Sequence, residues 1–152
     1  MMKIINLLLN ENIEYLEEYA TICKLTWGER LNNKDLKEYV KNKVKSILNE
    51  DKVISVLGLT YDNKLIGFIS LFKSDGEKML ELTPWYATMY VKKEYRGNNY
   101  SKILNDSILN EAKSLGYNRV YLKTTLKNYY EKFGAKYIKN LTDDEKLYYI
   151  DL

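Results

Sequence analysis

The stretch Pro84-Trp85-Tyr86-Ala87-Thr88-Met89-Tyr90-Val91, followed after residues 92–95 by Arg96-Gly97-Asn98-Asn99-Tyr100-Ser101-Lys102, decides the fold. Tyr86–Val91 carries aromatic and β-branched residues and reads as a strand. Pro84 cannot donate to a sheet ladder, so pairing breaks just before it. Residues 101–115 place Leu104, Ile108, Ala112 and Leu115 on one stripe, with Gly116 at the C′ position, which predicts a long amphipathic helix. The six residues from Arg96 to Ser101 are left to turn the chain from strand into helix. A helix N-terminus offers unpaired N–H groups and the positive end of the macrodipole, and so attracts anions. Gly97, Asn98 and Asn99 are residue types that tolerate left-handed geometry, which lets successive N–H groups converge. Ser101 adds a hydroxyl and Arg96 a fixed positive charge. These residues suit a pyrophosphate cradle. On the physics of the turn alone, an ordinary turn with a good cap is the simpler reading.

Outward from this stretch the periodicity alternates. Residues 3–9 read as a strand. Ile13, Leu16, Ala20 and Cys23 make 12–26 an amphipathic helix stopped at Trp27-Gly28, and a second runs from Lys34 to Leu48. Val53–Tyr61 and Lys64–Phe72 flank Asp62-Asn63, a hairpin signal. Glu77–Leu82 and Arg119–Lys123 read as further strands and Tyr129–Phe133 as a short helix stopped by Gly134. Lys136–Lys139 and Lys146–Asp151 read as a closing strand pair. The expectation is one α+β (mixed α/β) domain over residues 1–152, built on a single central sheet.

Composition removes several chemistries. Of 152 residues, 45% are apolar and 30% charged, ordinary for a chain that buries a core. There is no His and one Cys, Cys23, so histidine bases, Cys–His pairs, zinc clusters and intramolecular disulfides are not expected. A net charge of +3 implies no polyanion partner, and the 15 Tyr beside 21 Lys and 15 Asn follow A/T-rich codons before they follow function. The apolar run Ile4–Leu9 is six residues, shorter than a secretory core of about 7–15 or a membrane span of about 20. A cytoplasmic protein with no metal, no nucleic acid and no membrane partner is expected.

Two segments together go further. Pro84–Val91 with Arg96–Ser101 resembles motif A of the GNAT N-acetyltransferase superfamily, commonly R-G-x-G-x-G at a strand–turn–helix. Asn128-Tyr129-Tyr130-Glu131-Lys132-Phe133-Gly134-Ala135 resembles its motif B, usually Y-E-K-x-G-F. They stand in the family's order about thirty residues apart, and the β/α order fits along the whole chain. Three departures stand out: Asn99 where the family has Gly, Ser101 where it has Gly or Ala, and Ala135 where an aromatic is usual.

The resemblance implies a mostly antiparallel sheet of six to seven strands, splayed at the fourth and fifth, with about four helices. It implies acetyl-CoA as cosubstrate and a small-molecule or peptide amine as acceptor. Gly97, Asn98, Asn99, Tyr100 and Ser101 would hold the pyrophosphate with Arg96 and Lys102 alongside, and Met89, Tyr90 and Val91 would pair with the pantetheine arm. Backbone near Met89 would polarise the thioester carbonyl. Tyr130, at motif B's Tyr position, would be general acid, and Glu81, with Glu29 second, the base. Trp85 and Tyr86 would line the acceptor pocket, with Trp27 and Arg30 in the region that often covers it. The altered cradle leaves a non-catalytic coenzyme A binding module as the alternative. An edge at Lys146–Asp151 could pair with a second copy.

Overall fold

In the computed structural model, which describes residues 1–75, 79 and 81–152, seven strands form one mixed sheet in the order β1-β2-β3-β4-β5-β7-β6. The strands are β1 (Met2–Asn6), β2 (Val53–Tyr61), β3 (Lys64–Phe72), β4 (Trp85–Val91), β5 (Arg119–Thr124), β6 (Lys136–Asn140) and β7 (Lys146–Asp151). Three α-helices join them: α1 (Ile13–Trp27), α2 (Asn33–Asn49) and α3 (Tyr100–Ser114). The short helix expected at Tyr129–Phe133 is a single 3-10 turn, Tyr130–Phe133, so the helix count is slightly below four. The fold class is the expected one.

The β2–β3 hairpin forms because Asp62 and Asn63 both take positive φ, 49° and 65°, the twist a two-residue turn needs. Its strands are buried along almost their whole length because helices cover both faces. Leu16, Ala20, Val40 and Val44 from α1 and α2 pack against Val56, Leu65 and Phe68 on one face. Leu104, Ile108 and Ala112 from α3 pack against Leu57, Ile66 and Leu71 on the other. α3 is thereby fixed beside β4, where the turn that begins it can meet the strand's end.

The site is opened by a fault in the sheet. β4 and β5 are parallel neighbours but pair only at Trp85↔Tyr121, so beyond Trp85 the two strands diverge. This is the splay between fourth and fifth strands. On its other side β4 slips register against β3: Phe68 faces Tyr90 but Ser70 faces Ala87, so Thr88 and Met89 together oppose Ile69. That is a β-bulge. Thr88 sits in it at φ 54°, where a β-branched residue is strained by about 1–3 kcal/mol.

Three expectations change. The first strand ends at Asn6 instead of residue 9, because Leu7 turns fully into the core between sheet and α1. Of the strand expected at Glu77–Leu82, residues 77, 78 and 80 lie outside the described residues, while Glu81 occupies a turn and Leu82 a bend. Lys146–Asp151 is not an edge: β7 is paired on both sides, and the edges are β1 and β6.

Candidate active site

The turn before α3 is built as its residue types suggest. A single 3-10 turn at Lys93–Tyr95 brings the chain off β4. Gly97 then takes φ 86°, and Asn99, the N-cap of α3, takes φ 61°, both left-handed. A Cβ added to Gly97 would meet no atom within 4 Å beyond its chain neighbours, so the space beside this backbone is open. Asn98 is spent on the turn itself, its Nδ2 donating to the Tyr95 carbonyl at 3.1 Å. Asn99 makes no capping bond with its side chain, and no acidic residue lies in the first turn of α3. The Lys102 N–H turns back to the Asn99 carbonyl at 3.2 Å, while the N–H groups of Gly97–Ser101 find no partner among the described residues.

Arg96 is folded back onto β4, its Nε donating to the Val91 carbonyl at 2.7 Å and its guanidinium 5.5 Å over the Tyr90 ring. Lys102 pairs with Asp106 one helical turn on, at 2.7 Å, and this bond holds the Asp106 carboxyl below its ordinary range. Lys102 therefore faces a neighbouring hollow, with Asn105, Asp106 and Lys132, beside the main cleft.

The main cleft, about 460 Å³, runs along the splay. Met89, Tyr90 and Val91 form one wall, and Arg96, Gly97, Asn99, Tyr100 and Ser101 form the end at α3. Tyr130 and Tyr129 close the opposite wall, with Leu126. Motifs A and B thus meet across one cavity, although thirty residues separate them in sequence. Asn128, at φ 55°, starts the 3-10 turn that carries Tyr130, and Gly134, at φ 90°, ends it. The Tyr130 ring lies edge-on to Tyr86 (5.8 Å between centroids) and to Tyr129 (4.8 Å). Burial, with the neighbouring Tyr129 oxygen, pushes the Tyr130 hydroxyl up to about 12. It therefore keeps its proton throughout the neutral range.

Other expected residues fall elsewhere. Trp85 and Tyr86 are core residues, 0% and 3% exposed, and neither lines the cleft. Trp85 Nε1 donates to the Leu82 carbonyl at 2.8 Å, and Tyr86 donates to buried Asn105 at 2.8 Å. The expected acceptor pocket is corrected accordingly: Tyr86 supports the Tyr130 ring from behind, and burial pushes its own hydroxyl far up. The wall's exposed aromatic is Trp27, 55% exposed and edge-on to Tyr90 at 6.3 Å. It ends α1 beside Thr26, which also lines the cleft. Glu81, Glu29 and Arg30 are exposed and stand away from the lining, and among the described residues no carboxylate lines it. Sequence reading gave no site role to Thr26, Tyr95, Leu126 or Tyr129, although Tyr129 stands within the motif B segment.

No group of three or more His, Cys, Asp and Glu residues among those described gathers as a metal site would, and no described helix is long and apolar enough to cross a membrane.

The arrangement has close structural counterparts. PaiA N-acetyltransferase from Thermoplasma acidophilum, solved in complex with coenzyme A, aligns with a TM-score of 0.64 at 20% identity, over 100% of this chain and 99% of that one. An acetyltransferase of the GNAT family from Staphylococcus aureus Mu50 aligns at 0.65 and 21% identity, over 100% and 99%. The ribosomal-protein-S18-alanine N-acetyltransferase from Escherichia coli aligns at 0.65 and 14%, over 99% and 94%. No curated protein sequence matches the chain. The sequence profile described as the acetyltransferase (GNAT) family matches residues 8–135, which takes in α1, the splayed strand, the turn before α3 and motif B. This chain belongs to the acetyltransferase (GNAT) family.

Proposed function

We propose that the chain is an N-acetyltransferase that moves the acetyl group of acetyl-CoA directly to a primary amine of a small molecule or peptide. The observation that carries this reading is the meeting of three features on one cleft: the open left-handed turn at Gly97–Ser101, the unpaired side of β4 at Met89–Val91, and Tyr130.

The residues fit the cosubstrate. Gly97 leaves open space over a backbone whose helix end is uncapped, so the N–H groups of Gly97–Ser101 would take the pyrophosphate, with Arg96 beside them. Beyond Trp85, β4 has no β5 partner, so Met89–Val91 would receive the pantetheine amides as an added strand. When bound, acetyl-CoA supplies an activated acyl group, which an uncharged amine takes to give an amide and a free thiol. Backbone at Met89, out of the ladder at the bulge, would stabilise charge on the acyl oxygen. Tyr130 holds a proton at Oη for the departing sulfur. With no carboxylate in the described lining, the ammonium loses its proton to water. The acceptor would enter beside Thr26, Trp27, Leu126 and Tyr129. Fold does not choose it, since one neighbour is named for an aminoglycoside and another for an alanine of ribosomal protein S18.

A thiol-release assay across a panel of amines tests this reading. Tyr130→Phe should lower kcat by about 10²-fold with little change in KM for acetyl-CoA. In the wild type, kcat/KM for the amine should rise with pH as the amine loses its proton, and fall only as Tyr130 ionises near 12. Binding of coenzyme A without turnover on any amine would favour a non-catalytic module instead.

A further inference from the structure

Three hydroxyls from distant parts of the chain converge beneath the irregular residue of β4. Thr88 Oγ1 hydrogen-bonds Ser70 Oγ from β3, and Ser70 Oγ bonds Tyr19 Oη from α1 at 2.7 Å. Tyr19 Oη also lies 3.5 Å from Thr88 Oγ1. Ser70 is fully buried and Tyr19 nearly so, its ring fixed edge-on against Phe68 at 4.7 Å. In such a place no water replaces a lost partner, and removing one hydroxyl leaves each of the other two with a single bond. Local sequence gives no reason for Thr88 to take a positive φ, since β-branched residues avoid it. Left alone, Thr88 would relax toward extended geometry, and the backbone of Met89, the other residue of the bulge, would turn with it.

We infer that Tyr19 and Ser70 are positioning residues that pin Thr88 in its left-handed conformation and so keep the Met89 backbone directed to the cleft. The inference rests on the acetyl-transfer reading for its catalytic consequence, and on geometry for its structural one. Neither residue lines the cleft, and both bond Thr88. The link also ties α1, whose last residues Thr26 and Trp27 line the acceptor end, to the strand that would receive the cosubstrate.

Tyr19→Phe keeps the ring and deletes the hydroxyl, and Thr88→Val keeps the shape and deletes the tether. Each should lower kcat by about tenfold or more while KM for acetyl-CoA moves less than about twofold. Amide exchange at residues 88–90 should quicken about tenfold or more, with β6 and β7 unmoved. Glycine adopts positive φ unaided, so in a Thr88→Gly background Tyr19→Phe should change kcat by less than about twofold. Equal losses from Tyr19→Phe in both backgrounds would overturn the inference, as would a lowered melting temperature with kcat unmoved. Should Thr88→Val fail to fold, Tyr19→Phe and Ser70→Ala carry the same test. A wild-type chain without turnover would overturn the acetyl-transfer reading and the catalytic half of this inference. The exchange experiment would still decide the structural half, and unmoved amides at 88–90 would refute it.

Discussion

Helices α2 and α3 both begin at an asparagine, and the two are used in opposite ways. Asn32 is extended (φ −69°, ψ 167°), and its Oδ1 accepts from the Asp35 amide at 2.8 Å. Its Nδ2 donates to the Asp35 carboxylate at 3.0 Å, so the start of α2 is closed by its own residues. Asn99 is left-handed, makes no side-chain cap, and opens a helix whose first turn has no acidic residue. The residue type is the same; the backbone dihedral decides whether the helix end is satisfied internally or left for a ligand. α2 is a structural end with its macrodipole already met by Asp35. α3 keeps its positive end free beside a cleft.

The largest expected break in that contrast is Gly97→Val. A β-branched residue at φ 86° adds about 1–3 kcal/mol of strain, which is about 5- to 150-fold in coenzyme A affinity if it falls wholly on binding. Calorimetric titration would measure it. A sharper test makes one change at both helices. Asn99→Asp puts a negative charge where a pyrophosphate would sit and should weaken coenzyme A by about tenfold or more. Asn32→Asp should leave affinity unchanged and stability within about 0.5 kcal/mol, because aspartate caps as well as asparagine. The smallest effect is at the closed end alone. Asn32→Ala should cost about 1 kcal/mol of stability, a melting shift of about 2–4 °C, with no change in ligand binding. Equal responses at the two helices would dissolve the distinction.

Most of the fold was legible because its signals are local. Asp62-Asn63 between two apolar runs marks the hairpin, and the Leu104–Ala112 stripe with Gly116 marks α3. The left-handed turn was legible because glycine and asparagine are the residues that take positive φ. What escaped depends on contacts between distant residues. Trp85 and Tyr86 read as pocket residues from their position near the splay, yet Tyr86 is buried against α3 and Trp85 beside Tyr121, its indole bonded to the Leu82 carbonyl. Trp27, at the end of α1, meets Tyr90 only once the helix has packed across the strand. The bulge at Thr88 has no sequence signal, since threonine favours the extended form. The hydroxyls that bond it lie at Ser70 and at Tyr19, 69 residues away. A misplaced edge has the same origin: β7 reads as a final strand but is inserted between β5 and β6.

The central claim is that the open end of α3, with the splayed strand beside it, is where this chain takes acetyl-CoA. Titration of coenzyme A into the wild type and Asn99→Asp, followed calorimetrically under the same conditions, tests it most directly. Saturable one-to-one binding in the wild type, weakened by about tenfold or more in the variant, is the predicted result. No binding in the wild type, or equal affinity in both, would contradict it.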